Sequence, residues 1–121
     1  MTQNGPTRVL WLTRHRPTRD QLNSLRRIFG QVEIIQRPVT VNSARDVVRL
    51  MRKENCTEVM PVLPLLTMLD LVAEGVRPLV SVMDRRRGKH KYFARLVKVT
   101  LESERLGDDA DGETVLSTTF A

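Results

Sequence analysis

Hydrophobic positions along this chain change their spacing several times, and each change marks an element. Val9-Leu10-Trp11-Leu12 is an unbroken apolar run that turns abruptly into Thr13-Arg14-His15-Arg16. Such a run suits a fully buried strand, here Arg8 to Thr13. Thr18 with Gln21 three positions later makes a capping-box pattern. Leu22, Leu25, Ile28 and Phe29 then recur at helical spacing, and Gly30 supplies the stop. Gln31 to Gln36, with Val32, Ile34 and Ile35, predicts a second strand, which Val39-Thr40-Val41 extends beyond the Arg37-Pro38 break. Asn42 or Ser43 caps a second helix over Ala44 to Asn55, with Val47, Val48, Leu50 and Met51 inward.

Glu58 to Leu63 predicts a third strand, although Pro61 within it argues against a central place in a sheet. Leu65 to Gly75 follows as a short apolar helix, and Pro78 to Met83 as a fourth strand. Asp84 to Lys91 is a basic loop, too short for a helical crossover, so Tyr92 to Leu101 returns antiparallel beside the fourth strand. The order β-α-β-α-β-α-β-β argues for an α/β fold: a single Rossmann-like domain with a mainly parallel sheet and an antiparallel last strand. That domain covers residues 1–101, with 1–7 as a loose leader. Residues 102–121 form an acidic C-terminal tail, partly disordered or adding a short edge strand at Val115-Leu116.

Charge changes this picture in one respect. The formal charge of the 121 residues is +6, but from Glu102 onward six acids face a single base, Arg105. Residues 1–101 therefore hold 19 bases against 8 acids, a net of +11. A basic body favours anionic partners. The tail either screens that body or is a solvated end that serves solubility. No apolar stretch approaches the roughly 20 residues of a membrane span, and the start lacks the pattern of a signal peptide, so the expected location is cytoplasmic. Cys56 is the single cysteine, which excludes an internal disulfide. His15 and His90 are too few for a metal site, and nothing calls for a cofactor.

In an open parallel sheet, ligands bind outside the C-terminal ends of the strands. Those ends supply Thr13, Arg14, His15, Arg16 and Thr18 after the first strand, Arg37 after the second, and Arg85 and Arg86 after the fourth. Arginines that fork onto phosphate, with small hydroxyls between them and helix starts beside them, suit an anionic nucleotide or oligonucleotide. Neither GxGxxG nor GxxxxGK[ST] occurs, so side chains and helix ends must do this work. The bland readings are a helix-end hydrogen bond for His15 and a solvated hairpin for the basic run. The alternative function is a nucleic-acid-binding or ribonucleoprotein-associated module, gripping RNA or DNA phosphates through Arg85, Arg86, Arg87, Lys89 and Lys91. A protein-interaction subunit without a small ligand is the third reading. An aromatic content of 4% disfavours a base-stacking platform. No spacing suggests a Ser-His-Asp set or paired carboxylates, so the sequence leans away from an enzyme. If there is catalysis, it is a metal-independent phosphodiester cleavage with His15 as the candidate.

The stretch Leu12-Thr13-Arg14-His15-Arg16-Pro17-Thr18, with Gln21 just beyond, resembles the start of small stand-alone CRISPR-associated proteins of CARF-like Rossmann fold. These begin with a strand, a Ser/Thr-x-His turn and a Leu/Pro-Thr-x-x-Gln helix start. The resemblance covers the first strand and helix. It implies a homodimer that binds cyclic oligoadenylate, a second messenger, across its two-fold axis and in some members cleaves it in the manner of a ring nuclease. Thr13, His15 and Thr18 are the matched positions.

Overall fold

The apolar run at the start of the chain forms strand β1, Thr7–Leu12, and the rest of the fold is layered on it. The computed structural model describes residues 5–104, 106–107 and 115–120. β1 lies between β2, Val32–Gln36, and β3, Glu58–Pro61, and pairs with both in parallel. Val9, Leu10 and Trp11 are at most 1% exposed, which a strand achieves only when both of its faces are covered. The alternation of side chains divides them. Leu10 and Leu12 join Ile35, Val47, Val59 and Leu71 in one apolar layer, while Val9 and Trp11 join Leu25, Met60 and Leu79 in the other.

Helix α1, Arg19–Phe29, contributes Leu25 to the Trp11 layer. Helices α2, Ala44–Lys53, and α3, Leu65–Ala73, contribute Val47 and Leu71 to the Leu10 layer. Ser43 caps α2, its hydroxyl accepting from the Asp46 N–H. Ile28 departs from the predicted pattern: it is 52% exposed, so the apolar stripe of α1 runs through Leu25 and half-buried Leu22 and Phe29 instead. Segment 39–41 does not continue β2 as a strand.

Ion pairs fasten the edges. Arg8 reaches Glu33 of β2 at 2.8 Å, and its Nε and Nη2 donate to the Glu54 carbonyl at the C-terminal end of α2. A cation there meets the negative end of the helix dipole. The Glu54 carboxylate in turn holds Arg37. Between α2 and β3, Cys56 is buried with a free thiol, and burial pushes its pKa up against the opposing pull of Arg8.

The remaining strands correct the expected sheet. β4, Leu79–Asp84, lies near β3 but is not hydrogen-bonded to it. It pairs antiparallel with β5, Lys89–Arg95, as a two-stranded ribbon. The molecule is thus α/β, with a three-stranded parallel sheet and, separate from it, β4 and β5 in an antiparallel ribbon instead of one continuous sheet. The third strand is short and stops at Pro61, which has no N–H to donate, so its outer edge offers little to β4. Arg95 bridges the two parts, pairing with Glu58 at 2.7 Å and donating to the Arg77 carbonyl.

The expected basic loop is also shorter. Asp84 caps a tight turn by accepting from the Arg86 N–H at 3.0 Å, and Gly88 takes a φ of +64°, a conformation that favours glycine. Lys89, His90 and Lys91 therefore belong to β5. The expected strand 92–101 is split at Leu96–Lys98, and β6, Val99–Glu104, pairs antiparallel with β7, Val115–Phe120. The edge strand expected at Val115-Leu116 is the start of β7. Within the expected leader, Thr7 opens β1 and Met1 to Asn4 lie outside the described residues. Asp108, Asp109, Asp111 and Glu113 of the acidic tail also lie outside them. No helix among the described residues is long and apolar enough to cross a membrane.

Candidate functional site

Beyond β1 the chain enters a turn that neighbouring side chains hold in place. The Trp11 indole N–H donates to the His15 carbonyl at 2.8 Å, and the Gln36 amide donates to the Thr13 carbonyl at 2.9 Å. Two donors on adjacent strands thus fix two carbonyls of one short turn. Trp11 is itself held by an edge-on contact with Phe93 of β5, ring centroids 6.4 Å apart. The turn leads into α1 through a complete capping box: the Thr18 hydroxyl accepts from the Gln21 N–H at 3.1 Å, and Gln21 Oε1 accepts from the Thr18 N–H at 2.9 Å.

This turn forms one wall of a cleft of about 420 Å³. The wall carries Thr13, His15, Arg16, Thr18 and Gln21, with Ser81 of β4 completing it. The rest of the lining is apolar: Trp11, Met60, Pro61, Val62, Leu63, Met68, Val80 and Met83. The cleft therefore opens at the C-terminal ends of β1 and β3, where a parallel sheet leaves room for a ligand.

The eight residues expected to contact a ligand separate into three groups. Thr13, His15, Arg16 and Thr18 meet at the cleft. Arg14 is exposed and is not among the lining residues, and Arg37 is taken up by Glu54 and the Gln36 carbonyl. Arg85 and Arg86 sit at the tip of the ribbon, outside the cleft lining. Together with Arg87, Lys89 and Lys91 they form an exposed row in which, among the described residues, no side chain is ion-paired.

Of three further side chains at the site, the sequence marked Gln21 only as a helix cap and His90 only as a lone histidine, and did not mark Ser81. Gln21 serves both the cap and the cleft, its Nε2 donating to Ser81 Oγ at 3.2 Å. Ser81 Oγ lies 2.6 Å from His90 Nδ1. A β-bulge makes that approach possible. The register passes from Val82 opposite Tyr92 to Met83 opposite His90, leaving Lys91 as the extra residue. Without it, His90 and Phe93 would face opposite sides of the ribbon. With it, both face α1, and their rings lie 4.5 Å apart. Burial pushes the His90 pKa below its ordinary value; Asp20 of α1 opposes the shift and Arg27 of α1 adds to it.

No protein-family model, curated protein or solved structure matches this chain.

Proposed function

We propose that this chain is a Rossmann-like module that binds an anionic nucleotide, or one nucleotide unit of an oligonucleotide, in the cleft at the end of β1. The observation that carries the reading is the meeting of Arg16, His15, Thr13 and Thr18 on one wall of a cleft whose lining is otherwise largely apolar. A nucleotide needs both surfaces: a dry face for its base and donors for its phosphate. Arg16 supplies the fixed positive charge, the two hydroxyls supply neutral donors, and the capped start of α1 adds its positive dipole end. A volume of about 420 Å³ falls at the lower end of the usual range for small-ligand pockets, about 300–1,000 Å³.

A cyclic oligoadenylate is larger than one such cleft, so binding it requires a homodimer that joins two clefts. Exposed Val62, which lines the cleft, and exposed Leu65 and Leu66 at the start of α3 offer an apolar surface for that union. The test is calorimetric titration with mononucleotides and cyclic oligoadenylates, paired with light scattering. Binding that disappears in Arg16→Ala supports the reading; a chain that binds none of these ligands contradicts it.

A second reading has its own observation. The exposed cations Arg85, Arg86, Arg87, Lys89 and Lys91 suit the phosphates of RNA or DNA. Its mark is an affinity that falls steeply with salt and depends on the ribbon tip, with no involvement of Arg16.

A further inference from the structure

We propose that Ser81 is a nucleophile activated by His90, and that the cleft cleaves carboxylic esters that carry an anionic group. This goes beyond binding and uses residues on the opposite strand from the turn.

The hydrogen-bond roles follow from a chain of fixed donors. The Thr18 backbone N–H can only donate, so Gln21 must meet it with its carbonyl oxygen, Oε1. That orients the Gln21 NH2 toward Ser81, where it donates to Oγ. Ser81 Oγ then directs its own proton elsewhere, and the better acceptor is His90 Nδ1 at 2.6 Å, with Met83 Sδ farther off at 3.5 Å. In the proposed active state Nδ1 is the unprotonated nitrogen, and His90 is neutral with its proton on Nε2. Nε2 is buried and, among the described residues, has no hydrogen-bond partner. A serine hydroxyl donating to a neutral imidazole is the arrangement in which a base can activate it. The ring is positioned by Phe93 against one side; burial disfavours its protonated form, Asp20 of α1 favours that form and Arg27 of α1 opposes it.

The chemistry balances without any added redox partner. Ser81 Oγ attacks the ester carbonyl carbon while its proton passes to His90 Nδ1. The ester C–O bond then breaks, and the departing alkoxide takes that proton from His90. Water attacks the acyl group on Ser81, gives a proton to His90, and the acyl–Oγ bond breaks as Oγ recovers the proton. The apolar lining at Met60 and Met68 accepts the apolar part of the ester, and Arg16 holds the anionic group.

The experiment is labelling of the full chain with a fluorophosphonate, read by intact mass and peptide mapping, which needs no nucleotide and so stands apart from the binding tests. One adduct on Ser81 is expected, absent in Ser81→Ala. Its rate rises with pH as His90 loses its proton and then levels off. His90→Gln lowers the rate by about 100-fold or more and removes the pH dependence, with circular dichroism used to check that the variant folds. Gln21→Ala, which keeps the dyad but loosens its orientation, slows labelling while preserving the pH profile. No adduct, an adduct elsewhere, or a rate indifferent to both His90→Gln and Gln21→Ala overturns the proposal.

Discussion

The indole N–H of Trp11 donates to the carbonyl of His15 at 2.8 Å, so a fully buried ring of the core sets the conformation of the turn that lines the cleft. Core and site are joined at this bond. Trp11→Phe keeps an aromatic ring in the layer and removes the donor. Stability should fall by about 1 kcal/mol for the missing hydrogen bond, with a further packing loss. Nucleotide affinity should fall as well, because the turn is no longer held. Urea denaturation and calorimetry measure the two effects; lower stability with unchanged affinity would show that the turn needs no support from Trp11.

Arg16 and Arg37 look alike in the sequence and differ in the fold. Arg16→Ala should weaken nucleotide binding by tenfold or more, on the order of the 1.5–3 kcal/mol of a hydrogen bond to a charged group, with little change in melting temperature. Arg37→Ala should do the reverse, reducing stability by about 0.5–1 kcal/mol because Glu54 loses its partner, while affinity stays within about twofold. Thermal melts and titrations of the pair decide between them.

Stability should depend on pH through His90. Its folded pKa lies below the ordinary value of 6.5, so the unfolded chain binds the proton more readily. The stabilisation is complete above about pH 6.5 and is lost as pH falls through the lower folded pKa, so the melting temperature should drop over that window. In His90→Gln that part of the pH dependence should disappear. Melting curves from about pH 5 to about pH 8, in steps of about half a unit, measure it.

The ribbon tip should be separable from the cleft. Arg85→Ala, Arg86→Ala and Arg87→Ala together should leave mononucleotide affinity unchanged. If the tip grips nucleic acid, the same triple variant should lower the salt dependence of that binding by about 0.9 for each phosphate that is no longer neutralised. Filter binding across a salt series reads this directly.

Much of the framework was legible in the chain because its signals are local. The buried run at Val9 to Leu12, the Thr18–Gln21 capping box and the stop at Gly30 act over a few residues and stand as expected. Thr13, His15, Arg16 and Thr18 were found because strand ends in a parallel sheet gather by topology. The failures are non-local. Arg37 was claimed by Glu54, seventeen positions away along the chain, a pairing that no pattern around Arg37 announces. The ladder of β4 was decided by competition between β3, stopped by Pro61, and a hairpin partner close in sequence. Ser81 and His90 meet because a single extra residue, Lys91, resets the facing of β5. Strict alternation cannot express that.

Whether the cleft at the end of β1 takes a nucleotide is decided by calorimetric titration of the chain and of Arg16→Ala with AMP and with cyclic oligoadenylates, at matched salt. Saturable binding by the unaltered chain is expected, with a loss of at least about tenfold in the variant and both proteins melting at the same temperature. Binding equally strong in Arg16→Ala, or none in either protein, would contradict a nucleotide site built on Arg16.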